Sequence, residues 1–336
     1  MSSTERYSWH AALWQKLQAT RARMPHALLL QGRSGTGKLD FAYRLSQSLL
    51  CSQPGVEMEA CGACQSCNWF AQGHHPDFRL LEPAETDADS EADVPAKPGR
   101  KTQIAVDQVR DLADFFSLSS HQAGLRIVLL HPAEALNVAS ANALLKMLEE
   151  PPAGVIFMLV SHQPQRLLPT IRSRCNTIDM PVPTREQAQQ WLVSKGVEQT
   201  DRKLAYAGGS PLQAISAQGD AERLARDVLA CLERGAGMDP FAAAAACARV
   251  GMVETCTMLQ KWLYDLLSLR MAAQVRYHDP MSPALQGLGK GVDLAKLIEF
   301  QRIVDEARRH ALHPLNLELQ LEALMIQYTQ IFPART

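Results

Sequence analysis

Residues 32–39 read Gly-Arg-Ser-Gly-Thr-Gly-Lys-Leu. They follow the apolar run Ala27-Leu28-Leu29-Leu30 and open a stretch of helical character over 39–50. A strand, a glycine-rich turn and a helix in that order point to an α/β sheet built to present backbone N–H groups to phosphate. Gly32, Gly35, Gly37 and Lys38 supply most of a pattern that asks for Gly-x4-Gly-Lys followed by Ser or Thr. Leu39 stands where the hydroxyl for Mg²⁺ belongs. The loop leaves weak binding of ATP or ADP open and is poorly built for hydrolysis.

The second apolar run, Arg126-Ile-Val-Leu-Leu130, reads as a buried strand. Such a strand normally ends in an Asp for the metal and a Glu for the attacking water. Here it runs into His131-Pro132. A histidine at a strand end is ordinarily structural, and Pro132 has no acid–base chemistry. With Leu39, three positions that should serve metal or water carry the wrong side chains, so a chain without ATPase activity is expected.

At 336 residues with a net charge of −1, the chain is long enough for two or three domains and too nearly neutral for autonomous tight binding of nucleic acid. It shows no apolar run of membrane-spanning length and no signal segment, which predicts a cytoplasmic protein without membrane contact.

Of eight cysteines, four are not randomly placed. Cys61-Gly-Ala-Cys64-Gln-Ser-Cys67 makes two successive C-x-x-C steps, and Cys51 lies just upstream at the end of the first helix. Four thiolates from a turn and a helix end suit a closed, structural Zn²⁺ site spanning 51–67. A redox pair would need only two of them, and buried free thiols would need no such spacing. His74 and His75 are close enough to compete as ligands. Cys175, Cys231, Cys247 and Cys256 are isolated and expected as free thiols.

Beyond the cysteines, 77–81 reads as a short strand. Residues 82–101 are rich in Pro, Ala, Asp and Glu and read as a solvated acidic loop. Asp107 is expected to cap a helix running through Phe116. The strand at 126–130, a helix around 140–149 and a strand at 155–160 follow. This alternation predicts an α/β domain with a mostly parallel sheet.

Further on comes Leu167-Leu-Pro-Thr-Ile-Arg-Ser-Arg-Cys175. Arg172 and Arg174 taken alone would read as surface ion-pair partners. With Asn142-Ala-Leu-Leu-Lys-Met-Leu-Glu-Glu-Pro-Pro152, an apolar strand and then Ser173-Arg174-Cys175, the chain resembles the clamp-loader group of AAA+ proteins. The likeness runs through the degenerate loop, the four-cysteine module, His75-Pro76-Asp77, 104–110, Glu-Glu-Pro-Pro and Ser-Arg-Cys. The resemblance implies that Arg174 is an arginine finger acting in trans on a neighbouring subunit's ATP. It also implies that Leu212, in Gly209-Ser210-Pro211-Leu212, replaces an Arg that senses the γ-phosphate in active members. Lys38 departs the other way, since some related inactive subunits lack it.

Past Met180 the alternation stops. Pro181-Val-Pro183 marks a hinge, and 185–195, 199–207 and 211–217 read as short helices. From 221 the chain is helical, with connectors at 235–239 and 278–292. Its last helix carries Leu317, Leu321, Leu324, Tyr328 and Ile331 on one face. The expected architecture is α/β plus all-α: a RecA-like AAA+ domain over 1–179 with the zinc-module insertion, a helical lid over 180–220 and a helical collar over 221–336. The resemblance implies a non-hydrolysing subunit of a DNA polymerase III clamp loader. Its partners would be subunits of gamma/tau and delta type and, through the assembly, the sliding clamp and primer–template DNA. Two other readings compete: an active gamma/tau-type ATPase, and a zinc-ribbon nucleic-acid binder. Against the second, 60–67 holds no Lys, Arg or aromatic residue.

Overall fold

Leu28, Leu29 and Leu30 are each fully buried because their strand is covered on both faces. In the computed structural model, which describes residues 5–83, 103–117, 124–216, 219–311 and 316–333, five strands form one parallel sheet in the order β2-β3-β4-β1-β5. They are β1 (Ala27–Gln31), β2 (Phe78–Leu81), β3 (Arg126–Leu130), β4 (Val155–Ser161) and β5 (Asn176–Asp179). Alternate residues serve opposite faces. Leu28, Ile127, Leu129, Met158 and Val160 pack on one side. Leu29, Val128, Leu130, Phe157 and Leu159 pack on the other. The first face is covered by α1 (Ala11–Ala19) and α2 (Lys38–Leu50), and α3 (Gln65–Ala71) lies beside α2. The second face is covered by α4 (Val106–Arg110), α5 (Leu112–Ser117) and α6 (Val138–Glu149), with α7 (Pro169–Arg172) against α6.

Strand β5 has no counterpart in the sequence reading. Only Ile178 of its four residues is buried, as suits an edge strand, so no apolar run announces it. Asp107 is not a helix cap. Ala105 is the N-cap of α4, the Gln108 side chain accepts from its backbone N–H at 2.8 Å, and Asp107 pairs with Arg110 across the helix surface. The expected single helix is two, α4 and α5, meeting at Asp111. Of the expected acidic loop at 82–101, residues 84–101 lie outside the described residues.

The chain divides into two compact units, Met1–Gln187 and Ala188–Thr336. The boundary falls inside α8 (Arg185–Ser194). The second unit continues with α9 (Thr200–Tyr206), α10 (Pro211–Ser216), α11 (Asp220–Leu232), α12 (Pro240–Val250), α13 (Met252–Ala272), α14 (Ser282–Gly291), α15 (Leu294–Arg309) and α16 (Leu317–Gln330). Its apolar interior is in two parts. Ala188, Leu192, Leu204 and Ala214 form one cluster. Trp262, Leu263, Phe300, Leu324 and Tyr328 belong to a larger one. In the larger cluster the Trp262 indole N–H donates to Tyr328 Oη at 2.8 Å, and the phenol donates to the Leu232 carbonyl at 2.7 Å. The α16 stripe is mainly core: Leu321, Leu324, Tyr328 and Ile331 are buried, and Leu317 is exposed. Residues 278–292 are no mere connector, since they contain α14. Its composition, Ser-Pro-Ala-Leu-Gln-Gly-Leu-Gly-Lys-Gly, hides a helix under three glycines and a proline at N1/N2, a position helices tolerate.

Among the described residues no single helix is long and apolar enough to cross a membrane. The α12–α13 pair passes on length and composition when taken together, but it is bent by 119° and contributes Cys247, Leu259 and Trp262 to the core.

Candidate functional site

The loop between β1 and α2 lies at the carboxyl end of β1, which sits between β4 and β5. Gly35 and Gly37 have φ of 75° and 84°, a left-handed backbone that glycine adopts without strain. At Gly37 a second constraint applies. A Cβ there would lie 2.3 Å from Cε2 of Tyr7, so the tyrosine ring rests directly on the loop. Tyr7 donates its hydroxyl to Asp40 at 2.8 Å, and the Trp9 indole N–H donates to the Thr36 carbonyl at 3.0 Å. The N-terminal segment is thus laid over the loop. Lys38 is 2% exposed. Its ammonium donates to the Gly32 and Arg33 carbonyls at 2.8 and 2.5 Å, so it is spent on its own loop. Burial lowers its pKa to about 8, with the charge of Glu134 opposing. Leu39 packs half-buried against the core beside β1.

At the end of β3 the structure gives His131 a partner that the sequence reading missed. Its Nε2 lies 3.3 Å from Nε2 of His162, the residue that follows β4. Burial lowers the pKa of both rings, that of His162 to about 4. The His162 backbone N–H donates at 3.0 Å to Glu134. Two histidines each placed immediately after a buried parallel strand belong to the same sheet edge, and that spacing was the available signal. Where metal and water chemistry would need carboxylates on β3, this edge presents an imidazole pair. Leu212 lies in α10 of the second unit and offers no charge.

Cys51, Cys61, Cys64 and Cys67 come together with their sulfurs all within 4.8 Å of one another. Cys51 Sγ is 3.9 Å from Cys64 Sγ, and Cys61 Sγ is 4.0 Å from Cys67 Sγ. A tetrahedral site with Zn–S bonds of about 2.3 Å places sulfurs roughly 3.8 Å apart, whereas a disulfide needs about 2.05 Å. All four cysteines are free, and their geometry fits a metal ion. Backbone N–H groups of Cys61, Cys64 and Cys67 donate to Cys51, Cys61 and Cys64 sulfurs at 3.3, 3.3 and 3.4 Å, the second layer that favours thiolates. His75 is not a ligand. It is buried, its Nδ1 accepts from the Asp77 N–H at 3.0 Å, and its Nε2 faces Ser66 Oγ at 2.8 Å. Ser66 in turn donates to the Leu50 carbonyl at 2.6 Å. This relay ties α3 to the end of α2. Glu59 pairs with Arg44, and Arg44 lies 3.8 Å over the Trp14 ring, anchoring the rest of the insertion.

Arg174 follows α7. One guanidinium nitrogen meets Glu149 Oε1 at 2.5 Å, and the other donates to the Thr170 carbonyl at 3.0 Å. Its side chain is 35% exposed. Arg172 and Ser173 are exposed beside it. Among the described residues no hydrogen bond or ion pair links Arg174 to the loop at 32–38. The structure therefore groups the cysteines as a unit and the glycines with Lys38, and it leaves Arg174 on a separate surface.

A parallel sheet in 5-1-4-3-2 order, with a glycine loop after the interior strand β1 and helices on both faces, defines an AAA+ module, here with a four-cysteine insertion. The family model described as DNA polymerase III, delta subunit, matches residues 9–184. DNA polymerase III subunit delta' of Pseudomonas aeruginosa is 36% identical over 97% of this chain and 98% of its own length. DNA polymerase III subunit tau of Salmonella typhimurium is 35% identical over 46% of this chain and 21% of its own. Among solved structures, a DNA polymerase III gamma subunit-related protein of Thermotoga maritima aligns over 95% of this chain and 99% of its own, with 17% identity and a TM-score of 0.42. The chain belongs to the DNA polymerase III delta-prime subunit family.

Proposed function

We propose that the chain is a non-hydrolysing subunit of a bacterial DNA polymerase III clamp loader, working in the cytoplasm beside gamma/tau- and delta-type subunits. The observation that carries this reading is the nucleotide edge. Leu39 packs into the core where a metal-binding hydroxyl is needed, and His131–Pro132 ends β3 where carboxylates are needed. The near full-length match to a delta-prime subunit supports the same class, and the shorter match to tau favours it over an active ATPase. In this reading the domains are 1–179, 180–220 and 221–336, with the smaller apolar cluster of the second unit serving as lid and the larger as collar.

In this reading Zn²⁺ is held by Cys51, Cys61, Cys64 and Cys67 and is purely structural. Between Cys51 and Cys67 there is no Lys or Arg, so the module offers nucleic acid no cation. Gly32, Gly35, Gly37 and Lys38 keep a weak grip on ATP or ADP, because Lys38 must leave the Gly32 and Arg33 carbonyls to reach a phosphate. Arg174 acts in trans. It exchanges Glu149 for the γ-phosphoryl group of a neighbour's ATP and stabilises the charge that develops there. Clamp and primer–template DNA are engaged through the assembly.

The purified chain is expected to show no Mg²⁺-dependent ATPase above background, and a complex reconstituted with gamma/tau- and delta-type subunits is expected to load the clamp only when this chain is present. Turnover by the isolated chain that Lys38→Ala abolishes would establish the active-ATPase reading instead.

A further inference from the structure

Nothing in the function proposed above uses the imidazole pair at the carboxyl edge of the sheet. His131 directly follows β3 and His162 directly follows β4, neighbouring parallel strands paired from Arg126 with Val155 to Leu130 with Leu159. The two rings stand edge to face, with 5.3 Å between centroids and 80° between planes. Their Nε2 atoms converge to 3.3 Å. Two nitrogens that each lie about 2.05 Å from one tetrahedral ion are roughly 3.3 Å apart. The pair therefore already has the spacing of two metal ligands, and strand ends hold it there more firmly than loops would. Both residues keep part of their surface in solvent.

The electrical surroundings are mixed, and the balance favours a cation. Neutral imidazole is the ligand form, and burial favours it in both rings. His162 Nδ1 has no hydrogen-bond partner, so no neighbour pins the ring proton to either nitrogen. Glu134 supplies negative charge. Its Oε1 accepts the His162 backbone N–H at 3.0 Å, and its Oε2 is buried with no hydrogen-bond partner. The same carboxylate acts on His131, His162 and Lys38. A buried carboxylate oxygen without a partner is costly to keep, and a cation beside it removes that cost. Lys38 opposes a second cation here, but its ammonium is engaged by the Gly32 and Arg33 carbonyls.

We propose that His131 and His162 form a second metal site, for a divalent transition ion of the Zn²⁺, Ni²⁺ or Cu²⁺ class, with Glu134 as counter-charge and water in the remaining positions. Imidazole suits such ions, whereas Mg²⁺ asks for an octahedron of oxygens. The edge that lacks carboxylates for Mg²⁺ thus selects a different ion. Unlike the closed set of four cysteines, this site keeps open positions.

The test is zinc titration of the full-length protein with its cysteine site already filled, read by calorimetry and by ¹⁵N spectra of the histidine rings. One further equivalent is expected to bind, with the Nε2 resonances of His131 and His162 moving together. His131→Gln and His162→Gln should each abolish that equivalent and retain the first. Glu134→Gln should weaken it by about tenfold, the scale of a group that supports ligands without being one. Millimolar Mg²⁺ should not compete. If a glutamine variant fails to fold, the wild-type ring spectra decide alone, since they need no substitution. Absence of saturable uptake beyond the first equivalent, up to about 1 mM zinc, would overturn the proposal. So would a second equivalent that survives in the double variant, or ring spectra that keep a proton on one Nε2 at saturating zinc, the mark of a plain N–H···N hydrogen bond.

Discussion

In the function proposed above, Arg174 is a side chain held by its own chain until a neighbour's nucleotide displaces its partner. Its pair with Glu149 is half-exposed, and such pairs contribute about 0–1 kcal/mol, so the fold does not depend on it. A γ-phosphate with its higher charge can displace Glu149, and only Arg offers a rigid fork of donors for that site. Arg174→Ala is therefore expected to leave this chain's melting temperature within a few degrees of wild type. In a reconstituted complex it should lower DNA- and clamp-stimulated ATPase partially, because in the proposed assembly the other sites would keep fingers of their own. Fingers of this kind are worth about 10³–10⁵ at the site they serve. Glu149→Gln removes the latch and should leave turnover at or above wild type. If Arg174→Ala melts the chain but spares the complex's turnover, the residue is only a local ion-pair partner.

At the scale of elements, the insertion between α2 and β2 is too small to hold itself together. α3 has seven residues, and the turn before it is anchored through Arg44–Glu59 and Ser66–His75. Structural Zn²⁺ in small modules carries apparent binding free energies of roughly 10–16 kcal/mol, enough to fix such a segment. The purified chain should contain one equivalent of zinc by elemental analysis. Cys64→Ser should release it and expose the segment around 51–67 to protease, with the sheet intact. A metal-free, folded protein with a Cys61–Cys64 disulfide would refute the site.

For the whole first unit, pH reports how the N-terminal segment lies over the loop. Burial lowers the pKa of His10 from 6.5 to about 4, and its Nε2 has no hydrogen-bond partner. The unfolded chain takes up this proton as pH falls below about 6.5, whereas the folded chain resists until about 4. Stability is therefore complete above that window and is lost on acidification through it, by on the order of 3 kcal/mol from His10. His162 adds to the same trend. Denaturant midpoints measured at pH 7 and pH 4.5 should differ, and His10→Phe, which keeps a ring against Phe41, should narrow the difference. An identical pH response in that variant would show that His10 is not buried neutral.

Glycine spacing, Lys38, the apolar runs at 27–30, 126–130 and 155–160, and the C-x-x-C steps are local signals, each set by chemistry within a few residues. From them the sequence by itself determined the parallel α/β unit, the degenerate loop, the cysteine cluster and the helical second half. What only the tertiary structure decided depends on partners distant in the chain. His131 meets His162 because the neighbouring parallel strands β3 and β4 end together, Tyr7 meets Gly37 because the N-terminal segment folds over the loop, and Arg174 meets Glu149 because α7 packs against α6. His75, near the cysteines in sequence, is held instead by Ser66 and by the Asp77 N–H. β5 and α14 stayed hidden, the first because a sheet edge buries one residue in four, the second because packing against α13 overrides glycine's weak helix propensity. Contact, not local preference, set these last features.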